Sequence, residues 1–374
     1  MQRHSRREFL GAAGAAAAAA ASSLRAAEAP KGWTAQKARH WSALPDGRVI
    51  CELCPNGCRI DDGGRGDCRV RENRKGELQT LVHSRACSLH VDPIEKKPMF
   101  HYMPGSVALS VATPGCNFTC RFCQNWQISQ FPPERVECTH VTPDDLVKAA
   151  KAQGAPTIAY TYSEPVVFYE YMYDTAKAGR KAGVGSVMIS NGFIEKQPLS
   201  ELCEHLTGVK VDLKAFTEDF YRKTCSGRLQ PVLDSLQTLR KLGMWTEIVV
   251  LLVPTLNDSE DETRQMCKWV VENLGPDVPM HFSRFHPTYM LKELPPTPVE
   301  TVVRAREIAS AEGVHFAYVG NVSPHKYENT YCPGCGRVLI RRIGYVVREN
   351  ALADGRCPDC QTAIPGVWKN PASS

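Results

Sequence analysis

The chain has 374 residues, 43% apolar and 23% charged, with a formal net charge of +5; the apolar content excludes disorder for its bulk, and the length allows two or three domains. Residues 31–100 hold 13 basic and 9 acidic side chains and residues 326–374 hold 7 and 4, whereas 101–325 hold 21 and 25. An acidic centre with mildly basic flanks excludes a nucleic-acid-coating protein, and no apolar run reaches the roughly 20 residues of a bilayer span.

Residues 1–30 read as a targeting segment. Ser5-Arg6-Arg7-Glu8-Phe9-Leu10 precedes an Ala run from Ala15 to Ala21, and small residues continue to Ala29. A charged start, a weakly apolar stretch and small residues describe a signal peptide, and paired Arg before Phe-Leu marks the twin-arginine type. The expectation is export to the periplasm by that route. The other reading is a disordered Ala-rich extension on a cytoplasmic protein.

Residues 31–100 form a Cys-rich segment. The chain has sixteen cysteines, and eleven of them fall into three sets, which argues for metal binding rather than a disulfide framework. The first set is Cys51, Cys54, Cys58 and Cys68, interleaved with Gly57, Gly63, Gly64 and Gly66. Gly-rich turns between thiols let a backbone wrap a metal. These spacings do not match the usual ferredoxin runs. The set reads as a closed structural site for zinc or an auxiliary cluster, with free thiols or redox pairs as the other reading. The scattered Cys87, Cys138, Cys203, Cys225 and Cys267 read as ordinary buried thiols.

Residues 101–325 alternate strand-like and helix-like pieces. Strands are expected at Val107–Ala112, Thr157–Tyr160, Ser186–Ser190, Val209–Leu213, Glu247–Val253, Met280–Phe285 and Val314–Val319, short apolar or β-branched runs suited to parallel strands covered on both faces. Thr142-Pro143-Asp144-Asp145 and Thr297-Pro298-Val299-Glu300 read as helix starts with a capping hydroxyl and Pro at the first position. This alternation argues for an α/β fold, a parallel barrel or an open doubly wound sheet, with its site at the C-terminal ends of the strands.

The loop after the first of these strands reads Thr113-Pro114-Gly115-Cys116-Asn117-Phe118-Thr119-Cys120-Arg121-Phe122-Cys123-Gln124-Asn125-Trp126. A structural zinc takes four closed ligands. Three thiolates on a 4Fe-4S cluster leave one iron open to chelate a small molecule. The spacing, with an aromatic before the last Cys, resembles the radical S-adenosylmethionine (SAM) superfamily. The resemblance implies that Cys116, Cys120 and Cys123 hold the cluster and that the open iron binds the amino and carboxylate groups of SAM. It further implies that a low-potential donor supplies one electron, and that cleavage yields a 5′-deoxyadenosyl radical. A zinc or ferredoxin-type site with a distant fourth ligand is the other reading.

Later strand ends add candidates. Glu164, in Tyr160-Thr161-Tyr162-Ser163-Glu164-Pro165, matches the Glu-Pro of the family segment that holds the SAM ammonium, without that segment's glycines. Asn191, in Ile189-Ser190-Asn191-Gly192-Phe193, resembles the family's Thr-Asn-Gly turn. Asp212 and Lys214 share one face of a strand, like the family's Asp-x-Lys contacts to SAM. A capping turn and a strand-end salt bridge are the structural alternatives for the last two. His286, in Arg284-Phe285-His286-Pro287, is a further candidate contact to SAM or substrate, or a structural histidine.

Residues 326–374 hold Cys332-Pro333-Gly334-Cys335 and Cys357-Pro358-Asp359-Cys360 around a hairpin-like stretch, the pattern of a zinc ribbon with no open position. Arg341 and Arg342 read as a solvated face rather than an RNA contact. The apolar content of this tail is low, so a metal-dependent fold is expected.

Together, the N-terminal Cys element, the three-Cys loop with Gln-Asn-Trp, the Tyr-x-Ser-Glu-Pro segment and the ribbon resemble the radical SAM enzyme of the AmmeMemoRadiSam system, related to the pyruvate formate-lyase activating enzymes. That family implies AMMECR- and Memo-type partners. The expected architecture is a partial (β/α) barrel between an N-terminal Cys-rich segment and a C-terminal zinc ribbon. The alternatives are a glycyl-radical enzyme activase, and a metal-stabilised RNA- or protein-binding adaptor that would have no affinity for SAM.

Overall fold

Short apolar runs build the central sheet, as their composition dictates. The computed structural model describes residues 35–372, so the targeting segment read in residues 1–30 lies outside the described residues. Strand β1 (Ser88–Pro93) lies antiparallel to β2 (Val107–Ala112). Next come α1 (Pro143–Ala152), β3 (Thr157–Tyr160), α2 (Tyr169–Lys181), β4 (Gly185–Ser190), α3 (Lys196–Cys203), β5 (Gly208–Asp212), α4 (Leu229–Lys241), β6 (Thr246–Leu252), α5 (Glu260–Leu274), β7 (Met280–Arg284), α6 (Val299–Ala311) and β8 (Ala317–Gly320). Each strand from β3 onward pairs in parallel with the one before it, giving eight strands in sequential order with β1 and β8 as the edges. A doubly wound sheet reverses its strand order at a switch point. This one does not, and the fold is a partial (β/α) barrel.

Local sequence explains the elements. Strand β4 is buried at every position, as a strand covered on both faces must be. At the start of α1, Thr142 and Asp145 form a reciprocal capping box with Pro143 in the first turn. The second expected cap is different: Thr297 does not cap α6. Its hydroxyl donates to Leu252 O (2.6 Å) and accepts from Phe285 N (3.0 Å), tying β6 to the end of β7.

The N-terminal end of the barrel is plugged by residues 98–103. Buried Glu247 on β6 accepts from the backbone N–H of Phe100 and His101, both at 2.9 Å, and contacts His281 Nε2 at 2.8 Å. The Cys-rich segment forms two small three-stranded sheets, Gln36–Lys37 with Glu77–Thr80 and Arg71–Arg74, and Trp41–Ala43 with Val49–Cys51 and Arg59–Ile60. Its Val49, Leu53, Ile60, Val70 and Leu78 join the same apolar core as the barrel. Buried Arg71 pairs with Glu170 of α2 at 3.0 Å.

The tail adds β9 (Thr330–Tyr331), β10 (Val338–Ile343) and β11 (Val346–Asn350), an antiparallel ribbon. It packs Leu339, Ile340 and Ile364 on Phe100, Phe316 and Tyr318 of the barrel. Arg342 corrects the solvated reading of this face. It is buried, donates to Phe100 O (2.7 Å) and Thr330 Oγ1 (2.9 Å), and lies 3.7 Å from Glu95, just beyond β1. Arg341 is exposed and pairs with Glu349. The ribbon therefore bridges the gap between the two sheet edges.

Candidate active site

A cavity of about 550 Å³ opens among the C-terminal strand ends, within the size range of small-molecule sites. Cys116, Cys120 and Cys123 line it, as do Glu164, Asn191, Asp212 and Lys214. His286 does not: it is exposed beyond β7, and the histidine that reaches the cavity from that strand is His281. Gly344 and Tyr345, at the ribbon's hairpin turn, also reach the wall.

The three-Cys loop is held from several sides. Gly115 N donates to Ile128 O (2.9 Å), Asn125 Nδ2 to Tyr162 O (2.8 Å) and Asn117 Nδ2 to Phe193 O (2.8 Å). Thr119 N donates to Cys225 O and Arg121 N to Thr224 O. Buried Cys225, counted in the sequence among ordinary thiols, sets its thiol beside that of Cys120, both cysteines being free. Nothing in its surrounding sequence signals that contact.

The polar groups facing the loop sit in strong mutual contacts. Glu164 is buried and accepts from Val166 N (3.1 Å), Ser190 Oγ (2.6 Å) and Asn191 N (2.8 Å). Burial pushes its carboxyl above the usual range despite these donors. The side chain of Asn191 bridges Asn117 Oδ1 and Phe193 N, so it braces the loop as well as lining the cavity. Burial acts to raise the Asp212 carboxyl, but Lys210 and Lys214 outweigh it and hold the group below the usual range. Lys210, missed in the sequence, shares the strand face of Asp212 and Lys214; a lysine inside an apolar parallel strand was the signal. Asp92 on β1 adds a second acidic point, bonded to Lys96 (2.7 Å), Lys97 (2.6 Å) and the Tyr162 hydroxyl.

The two other Cys sets lie outside this cavity. In the tail, Cys332 and Cys360 approach to 3.5 Å and Cys335 and Cys357 to 3.6 Å. Among the described residues this is the group whose ligand atoms all lie within 4.8 Å of one another. Cys51, Cys54, Cys58 and Cys68 surround a separate small cavity next to the loop.

The profile of the Radical SAM superfamily matches residues 110–267, from β2 into α5. An uncharacterized protein of Methanocaldococcus jannaschii is 46% identical over 307 residues, 82% of this chain and 91% of its own. The chain belongs to the radical SAM superfamily. That membership implies a 4Fe-4S cluster and SAM. A GTP 3′,8-cyclase of Rhizobium etli is 29% identical over 155 residues, 40% of this chain and 44% of the cyclase. Among solved structures of radical SAM proteins, a methyltransferase from Sphaerobacter thermophilus aligns over 78% of each chain, with TM-score 0.48 and 15% identity. A domain of a pyruvate-formate lyase-activating enzyme from Bacteroides vulgatus aligns over 44% of this chain and 98% of that one, with TM-score 0.39 and 14% identity. Among the described residues no helix is long and apolar enough to cross a membrane.

Proposed function

We propose that this chain is a radical SAM enzyme whose 4Fe-4S cluster is held by Cys116, Cys120 and Cys123. The observation that carries this reading is that these three thiols, from one short loop, share a cavity with Glu164, Asp212 and Lys214. The donor set fits the group, because three thiolates satisfy three irons and leave one open. When bound and reduced, the cluster and SAM supply a 5′-deoxyadenosyl radical for hydrogen abstraction from substrate. The chain's own residues bind and orient. Glu164 is fixed by three donors and retains acceptor capacity for the SAM ammonium, since a carboxylate has about four lone-pair sites. Asp212, between Lys210 and Lys214, holds a fixed charge at the cavity wall. Tyr345 of the ribbon and Phe122 of the loop supply aromatic surface to the cavity wall.

The tail's four thiols would hold zinc, because their 3.5 and 3.6 Å separations suit a tetrahedral ion with Zn–S near about 2.3 Å. The motif combination from Cys51 to Trp368 supports a finer reading, the radical SAM enzyme of the AmmeMemoRadiSam system. AMMECR- and Memo-type proteins and a low-potential electron donor would then be its partners. The test is equilibrium binding of SAM under anaerobic conditions. The reconstituted protein should bind SAM and the Cys116→Ala, Cys120→Ala, Cys123→Ala variant should not. Binding by neither would favour the adaptor reading, and equal binding by both would overturn the assignment of the SAM-binding cluster to Cys116, Cys120 and Cys123.

A further inference from the structure

Four thiols of the Cys-rich segment, Cys51, Cys54, Cys58 and Cys68, surround one cavity walled by Leu53 and Val166, and Asn117 of the three-Cys loop completes the enclosure. Arg71 lines the same cavity and is almost wholly buried. Its Nη1 is engaged by Glu170 and its Nη2 by Arg39 O, but its Nε is buried with no hydrogen-bond partner. A buried guanidinium facing four thiols is suited to offset the excess negative charge of a four-thiolate metal centre.

The spacing separates two candidate occupants. A single zinc draws four sulfurs to within about 3.8 Å of one another, given Zn–S near about 2.3 Å, which is the arrangement in the tail. The N-terminal four are spread more widely: among the described residues the tail set brings its sulfurs within 4.8 Å of one another and this set does not, and a water-sized sphere fits between its members. A cubane, with an iron at each of four corners, holds its thiolates farther apart than a single ion does. We infer that Cys51, Cys54, Cys58 and Cys68 bind a second 4Fe-4S cluster, fully ligated and therefore closed to SAM. It would stand behind the first site: Cys116 faces the large cavity while Asn117, the next residue, walls the small one. The backbone at Gly115 also packs directly on Cys68 and Val70.

The test uses the full chain, reconstituted anaerobically with iron and sulfide. Wild type should bind about eight irons, at four per Cys-ligated cluster. The Cys116→Ala, Cys120→Ala, Cys123→Ala variant should retain about four irons, with a dithionite-reduced paramagnetic signal unchanged by SAM. The Cys54→Ala, Cys58→Ala variant should also hold about four, but with a signal that SAM perturbs. Retention by the first variant supports the inference even if the loop fails to behave as proposed. Overturning results are an iron-free first variant that keeps its circular dichroism and its tail metal, or a wild type with about four irons and two zincs.

Discussion

Asn191 Nδ2 donates to Asn117 Oδ1 at 2.8 Å, joining the end of β4 to the residue after Cys116. Through this contact the turn at one strand end sets the position of a loop grown from another. The Asn191→Ala variant leaves Asn117 Oδ1 and Phe193 N, both inside the protein, without their partner. An unsatisfied buried group costs about 1–3 kcal/mol, so the variant should melt earlier and lose iron from the loop site on gel filtration. Full iron retention with an unchanged Tm would show that Asn191 does not brace the loop.

Gly115 has φ +105°, and a Cβ built there falls 2.7 Å from Val70 Cγ1 and 3.0 Å from Cys68 O. Gly115→Ala should therefore displace the loop against the N-terminal segment. Overpacking of this kind costs about 1–3 kcal/mol. Iron bound at the loop should fall while the tail metal stays, as measured by metal analysis and thermal melting.

Much of this fold was legible because its parallel strands are short, apolar and bounded by turns, and their ends announce the site. Strand β1 was not: Ser88-Leu89-His90-Val91-Asp92-Pro93 is mixed in polarity because it is an antiparallel edge strand. His286 looked well placed one residue past a predicted strand, but the strand ends at Arg284 and the chain then turns outward. His281 lies within the strand, where nothing in its neighbours marks it. Arg342 read as solvated because sequence does not show that Glu95, nearly 250 residues earlier, and Phe100 wait across the seam.

The ribbon is fastened to the barrel rather than independent, since its apolar residues face Phe100, Phe316 and Tyr318. Cys357→Ser should remove one metal ion, free residues 330–368 for proteolysis and lower stability by several kcal/mol, because metal affinity at such sites is folding energy. A tail excised alone should show a zinc-dependent change in circular dichroism but melt below the tail of the intact chain, because it lacks Phe100, Phe316 and Tyr318. An excised tail that is fully folded without metal would contradict this account.

His101 carries an acid sensitivity. Its Nδ1 lies 2.7 Å from Pro365 O, an acceptor, so that nitrogen carries the proton; Nε2 then accepts from Tyr318 Oη at 2.6 Å. Burial lowers its pKa to about 4, against about 6.5 when unfolded. The unfolded chain thus binds more protons between these values, so the stabilisation is complete above pH about 6.5 and is lost as pH falls toward about 4. Between pH about 6.5 and about 5 the loss should approach 2 kcal/mol. Thermal melts of wild type and His101→Gln across that range should show a shallower slope in the variant; parallel slopes would exclude His101 as the source.

The central claim is tested most directly by measuring 5′-deoxyadenosine after SAM and dithionite are added to the anaerobically reconstituted protein. Wild type should form it, and Cys120→Ala should form none while keeping its tail metal, because two thiolates do not hold the cluster in the cavity. Undiminished 5′-deoxyadenosine from Cys120→Ala, or none from an iron-loaded wild type, would contradict the assignment.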